Sequence, residues 1–415
     1  MSSIVRSSIS RSGLALGLTA LAACSNPSTD PATPDTSGLR EPSSESGGGR
    51  PNDGTLPFTP SNGVSLASAD LSKATDEVSL TGSCTIDGAT STIDCDSQGL
   101  HGSYATKIVT LADQTRVSLF VAKSFRIETS TTVRTKGALP IVLAALDDLS
   151  VFGTVIVIPG TSGGAAETPH YLRGGGAGGG SAASESGLAG GGGSFCGLGG
   201  RGGAAATDTL APSPAYGNPE LVPLVGGSGG ATSFFSGATN PGGGGALQLL
   251  AGRSIFIAAS GAVSLPGGAG DRGDSEIGGP GKFGAGGGGS GGALLVEAPV
   301  VRVEGTFAAN GGGGGGAGDG GTPGAYGTAE ARAAKGGGGP VLGGDGSSAT
   351  AIGGTDGIWD PTKRDRLTND SAAASGGGGG AGRIRINTST GHAIVTGVVA
   401  PALTTPCASE GTFHH

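Results

Sequence analysis

The sequence predicts an all-β chain: a single-chain parallel β-helix, or solenoid, with long glycine-rich insertions. Three observations carry this expectation. Alternating Val/Ile/Leu phrases return along the chain at residues 247–257, 294–307 and 383–398. Each is entered from a glycine run, such as 242–245, 286–289 or 376–380. Gly supplies 90 of the 415 residues, about three times ordinary usage, whereas aromatics are 4% and charged residues 13%. A core so short of bulk closes more readily as a long thin stack than as one large globule.

The N-terminus reads as processing information. Arg6 and Arg11 form a positive flank, and residues 14–21 form an apolar run too short to span a bilayer. Leu21, Ala22, Ala23 and Cys24 then match the bacterial lipobox. This places a signal peptide at 1–23 and makes Cys24 the lipidated first residue of the mature chain. The membrane is then a partner through acyl chains, each buried CH₂ contributing ~0.8 kcal/mol. Ser25 follows Cys24 and favours outer-membrane or cell-surface sorting. Cleavage removes two cations and no acid, moving the formal charge from −8 to −10. An acidic surface argues against nucleic acid as a partner.

Residues 24–60 are dominated by Pro, Ser, Thr, Gly and Asp, with Phe58 as the lone aromatic, and read as a disordered tether. Residues 61–105 read as an N-terminal β cap, a short β region that starts or caps the fold. Four cysteines remain after the lipobox, and an even count in an exported chain reads as two disulfides. Of three possible pairings, Cys84–Cys95 is preferred, because short strands flank a turn between them. Exclusion leaves Cys196 with Cys407.

Residues 106–415 read as the β-helix. Between 107 and 160 β-branched strands follow one another. Ile127 to Val151 is 24 residues and Val133 to Val155 is 22, about one coil of three short strands. Gly261 to Gly305 is 44, which fits two coils or one coil with an insertion. Period-2 alternation points Val301, Val303, Ile384 and Ile386 inward, with Arg302, Glu304, Arg383 and Arg385 outward. Residues 328–335 are the one stretch with helical character, enough for two turns between glycines.

The remaining length falls in excursions at about 160–245, 267–292 and 311–382. Glycine contributes no side-chain burial and loses the most entropy on ordering. The runs therefore read either as flexible loops or as a polyglycine II bundle of extended, three-residue-per-turn strands bonded sideways.

The stretches 216–230, 291–299 and 380–386 resemble the glycine-rich lipoproteins that myxobacteria encode in number. The likeness covers most of residues 79–400. A looser one links the chain to glycine-rich PGRS-type surface proteins of mycobacteria. Neither group supplies a catalytic motif. The resemblance implies a surface-exposed, β-helical, glycine-rich protein.

No motif names a reaction. Gly281-Lys282 fails as a P-loop, because Glu276 stands where Gly is needed and Phe283 where Ser or Thr is needed. Asp271, Asp274 and Glu276 cluster, and Asp319 and Asp345 lie in glycine context. Such acids suit calcium chemically, but no calcium-binding nonapeptide is in register, so they read as solvated and no cofactor is expected. Asp147-Asp148 suits a turn better than a glycosidase couple, since adjacent strand residues face opposite ways. His101 and His170 are isolated, and His414-His415 is a terminal pair. Trp359, Tyr216 and Phe234-Phe235 lie in the excursions, where they pack locally or stack on sugars. The expectation is a non-enzymatic surface lipoprotein with a structural or adhesive role. The alternative is a polysaccharide-binding or polysaccharide-degrading β-helix.

Overall fold

A computed structural model describes residues 56–96, 99–166, 173–182, 188–204, 211–232, 241–273, 284–318, 320–362 and 373–413. The lipobox residues Leu21 to Cys24 lie outside them, as do His170, Phe234, Phe235, Asp274, Glu276, Gly281, Lys282, Asp319, His414 and His415.

The described chain is all-β. Its only helical elements are two single 3₁₀ turns, Leu66–Ser68 and Leu71–Lys73. Three seven-stranded sheets, each mostly parallel, hold the strands. The first sheet runs from Leu100–His101 through Glu77–Leu80, Ser124–Ile127, Asp148–Val151, Ser254–Ile257 and Val300–Val303 to Ile394–Val395. The second runs from Thr92–Cys95 through Ser83–Asp87, Thr132–Lys136, Thr154–Ile156, Ala262–Ser264 and Thr306–Ala308 to Val398–Ala400. The third runs from Ala105–Thr110 through Arg116–Ala122, Ile141–Ala145, Ala246–Ala251, Ala293–Glu297 and Arg383–Thr388 to Ala408–Thr412.

From Arg116 onward the chain visits these sheets in fixed rotation, third, first, second, then third again. Registers follow the sequence intervals. Val151 lies opposite Ile127 and Val155 opposite Val133. Phe307 pairs with Val263, so the 44-residue interval is one circuit plus an insertion. Among the described residues, antiparallel pairing occurs in three strands at one end, Thr92–Cys95, Leu100–His101 and Ala105–Thr110, in a two-residue pair outside the main sheets and in a single bridge between Ala317 and Val341.

Alternation explains the core. Val301, Val303, Ile384 and Ile386 are buried beside Leu247, Leu249, Leu294, Val296 and Phe307 in one cluster fed by all three sheets. Fully burying one such side chain contributes roughly 1.5–3 kcal/mol.

Three expectations need correction. The stacked strands begin at Glu77, inside the expected cap of 61–105, since Glu77–Leu80 and Ser83–Asp87 already pair in parallel with the following circuit. Val78 and Leu80 carry the same inward alternation as later strands. The stretch assigned to the tether ends before residue 60, because Phe58 is buried against Val64, Leu66 and Phe413. Residues 328–335 form no helix. The Asn310 amide takes the carbonyls of Thr328 and Glu330, and the Ala349 amide donates to Ala331. Carbonyls committed elsewhere leave no intrahelical ladder.

The three excursions, 157–245, 265–292 and 309–382, all leave after a second-sheet strand and return into a third-sheet strand. They therefore meet on one flank, and backbone bonds tie them together. Residues 376–382 show the pattern. Gly376, Gly379 and Gly382 donate to Gly315, Gly312 and Ala309. Gly377 and Gly380 donate to Gly190 and Gly193, while Gly378 and Ala381 donate to Thr355 and Ile352. The carbonyls of the same residues accept from 344 and 347, from 288 and 291, and from 200 and 197. Each direction recurs every third residue, and six neighbouring segments surround this one. A Cβ on Gly378 would overlap the carbonyl of Asp345, so the packing admits no side chain there.

Candidate functional site

The outward face of the third sheet carries a connected group of polar side chains. Alternation turns Gln248, Leu295, Glu297, Arg383, Arg385 and Asn387 away from the core. Two coverings lie on this face. Phe58, Val64 and Leu66 pack over Leu119, Val121, Val142 and Leu250. Phe195, Leu221 and Leu224 of the first excursion pack over Ala246, Ala293 and Leu295. Where they meet, a cleft of about 310 Å³ is lined by Ser61, Asn218, Glu220, Val222, Arg385 and Asn387, with Thr412 at its side.

Glu297 is completely buried next to this cleft. Its carboxylate accepts from Ser61 N (3.2 Å), Ser61 Oγ (2.5 Å), Gln248 Nε2 (2.8 Å) and Asn387 Nδ2 (3.0 Å). All these donors are neutral. Asn62 Nδ2 in turn donates to Gln248 Oε1 at 2.6 Å, and Asn387 Nδ2 also reaches Ser61 Oγ at 2.9 Å. A buried charge costs heavily unless bonded, and this one is bonded on both oxygens. The network clamps residues 61–62 to three adjacent third-sheet strands.

Arg385 lies beside it. Its Nε donates to Asn387 Oδ1 at 2.7 Å, and its Nη1 to Ser409 Oγ at 3.1 Å and the Glu410 carbonyl at 2.9 Å. Nη2 passes close over Gly411, where a Cβ would collide with it. No carboxylate among the described residues lies within ion-pair distance of this guanidinium. Arg383, two residues earlier, sits over the Phe195 ring at 5.6 Å and donates to the Tyr216 carbonyl at 2.9 Å. Burial pulls its pKa below the ordinary arginine value, against the opposing fields of Glu220 and Tyr216. Burial likewise pushes the Tyr216 phenol up to about 12, opposed by its bond with Ser228 and by Arg383. Tyr216 Oη donates to the Gly226 carbonyl at 2.7 Å and accepts from Ser228 Oγ at 3.0 Å.

The residues singled out from the sequence fall elsewhere. Cys84 is bonded to Cys95 across directly opposed strand positions, with Cα atoms 4.0 Å apart. Cys196 is bonded to Cys407 with Cα atoms 5.6 Å apart, tying the first excursion to the turn before the last strand. Asp148 is held by Arg253 and by Ser254 Oγ at 2.6 Å, in an ion pair rather than facing Asp147 across a cleft. Asp345 bonds the Gly336 amide and pairs with Lys335 at 2.7 Å. Asp271 is buried, His101 is exposed, and no group of three metal-ligating side chains occurs among the described residues. Trp359 is half-buried in the two-residue strand Trp359–Asp360, which pairs with Ala373–Ala374. Of the cleft residues, alternation alone flagged Arg385, together with its neighbour Arg383 on the same face. Glu297, Asn387, Ser61 and Glu220 carried no pattern that would have joined them.

Comparison with protein-family models, with curated proteins and with solved structures finds no match to this chain. The reading of function therefore rests on the residues themselves. No helix among the described residues is long and apolar enough to cross a membrane.

Proposed function

We propose that this chain is a cell-surface lipoprotein with a non-catalytic structural or adhesive role, anchored through Cys24. In this reading the rotating sheets are the three faces of a single-chain parallel β-helix, and the excursions form a polyglycine II bundle fused to one flank. The observation that carries it is the three-residue repeat of bonds around 376–382. Extended chains at three residues per turn direct successive amides to three different sides. A lattice of that kind is a rigid body without side-chain chemistry, which suits a scaffold or spacer.

Supporting features come from the sequence and the covalent structure. The lipobox pattern Leu21 to Cys24 stands behind a short apolar run. Two disulfides fit an oxidising, extracytoplasmic compartment. Likeness to the glycine-rich lipoproteins of myxobacteria points the same way. The test is localisation of wild type and Cys24→Ala with surface protease shaving. Wild type is expected in the membrane fraction and open to protease, and the variant in soluble form. An unchanged membrane fraction in the variant would overturn the anchor.

A further inference from the structure

We propose that the cleft at the third sheet binds an acidic saccharide, with the Arg385 guanidinium holding the carboxylate or sulfate group of the sugar. The inference rests on the adhesive reading above and names the chemistry of the contact.

The first ground is the state of Arg385. Arg126, Arg201, Arg253, Arg302 and Arg332 each reach a carboxylate of this acidic chain. Arg385 does not. Neutral acceptors on Asn387, Ser409 and Glu410 fix its Nε and Nη1, and Nη2 has no hydrogen-bond acceptor among the described residues. A guanidinium held in place with donors left over is already organised for a planar oxyanion, so little side-chain entropy is lost on binding.

The second ground is the support beneath it. Asn387 is buried and orients Arg385 through Oδ1, while its Nδ2 is held by Glu297 and Ser61. Glu297 is thus a positioning residue for the cleft. Its own charge is already met by four hydrogen bonds, from Ser61 N and Oγ, Gln248 and Asn387.

The third ground selects a sugar over a bare anion. Glu220 and Thr412 stand exposed at the cleft and offer a carboxylate acceptor and a hydroxyl. Ring hydroxyls both donate and accept, and such a mixed rim matches them. A small dianion such as phosphate would meet the Glu220 carboxylate and gain nothing from it. Val222 supplies one apolar patch for a ring face. The volume of about 310 Å³ is at the lower end for small-ligand sites and takes one sugar unit, its neighbours leaving over the rim.

The experiment is calorimetric titration of the mature protein with a hexuronic acid oligomer, a sulfated dextran oligomer and a neutral dextran oligomer. One of the two acidic oligomers is expected to bind at least 10-fold more tightly than the neutral one, and the comparison identifies the acidic group. Arg385→Gln should weaken that binding roughly 10- to 100-fold, as for loss of a charged hydrogen bond, with Arg385→Lys intermediate. Glu220→Ala and Thr412→Val, on the rim, should each weaken it a few-fold with an unchanged unfolding midpoint, and they serve if Arg385→Gln does not fold. Equal binding of neutral and acidic oligomers, no binding of either acidic oligomer, or unchanged affinity in the Arg385 or rim variants would overturn the proposal. Surface shaving is read separately: protein displayed on the cell but blind to acidic sugars sinks this inference alone, and protein absent from the surface sinks the functional reading alone.

Discussion

Phe58 lies stacked on Phe413, with ring centroids 4.1 Å apart and planes inclined by 17°. The contact joins the start of the described chain to the residue that follows its last strand. It belongs to a cluster in which Phe58, Val64 and Leu66 cover the outward side of the third sheet. Phe58→Ala should destabilise the fold by about 3 kcal/mol, from lost burial plus the cavity left behind. Urea unfolding of wild type and variant measures it. An unshifted midpoint would mean that residues 56–74 do not hold the sheet.

Within the glycine-rich excursions, single methyl groups should separate packed from open positions. Gly378→Ala meets the Asp345 carbonyl and should cost roughly 1–3 kcal/mol. Gly353 has one atom within 4 Å of an added Cβ, at 3.6 Å, and an ordinary φ. Gly353→Ala should therefore be neutral or stabilising by about 0.4–1 kcal/mol, through the unfolded chain. Thermal unfolding of the two variants distinguishes an ordered lattice, where the signs differ, from loose loops, where they agree. Slow amide exchange across 188–204 and 320–345 is the matching expectation.

Cys196–Cys407 closes a sequence separation of 211 residues, and Cys84–Cys95 one of 11. In the chain-entropy account the longer loop stabilises more, about 5 kcal/mol against about 3. Cys196→Ser with Cys407→Ser should therefore lower the unfolding midpoint further than the corresponding Cys84 and Cys95 pair. It should also speed amide exchange around Cys196, whose amide and that of Gly197 both donate to the Ala381 carbonyl. Equal effects of the two pairs would contradict this.

Two groups contribute to the pH dependence of stability, one at each end. Tyr216 is raised to about 12 by burial, against about 10 for a free phenol. Between those values the unfolded chain loses a proton that the folded chain keeps, so stability falls as pH rises. Tyr216→Phe should flatten that alkaline loss, read as the unfolding midpoint against pH. At the acid end, burial lifts the Asp87 carboxyl, but the amides of Ala89 and Thr90, the Thr90 hydroxyl and Lys136 outweigh it and hold it below the usual range. Its stabilisation is present above the unfolded value of about 4 and is lost as pH falls through the lower folded value. Asp87→Asn should make the acid limb shallower.

Much of the architecture was legible because strands repeat a local rule. Val133 and Val155, or Ile127 and Val151, are separated by one circuit, and inward alternation marks each strand by itself. The cleft obeys no local rule. Arg385 reads as an outward arginine on any strand, and only the arrival of Ser61 and residues 218–222 encloses it. Phe58 sits among Pro, Ser and Thr, and its partner Phe413 is at the far end of the chain. Residues 328–335 have good helix formers, but Asn310 and the amide of Ala349 take up their carbonyls. Propensity is a weak signal where tertiary bonds compete for the same groups.

The repeat around Gly376 to Gly382 imposes a frame on the length of the leg that carries it. Adding three residues to a leg returns each later amide to the neighbour it faced before. Adding one or two rotates every later amide by a third of a turn, towards a segment whose carbonyls are already taken. Growth of this leg is therefore quantised in triplets, and a single-residue deletion is felt along all of it while the sheets beside it keep their register.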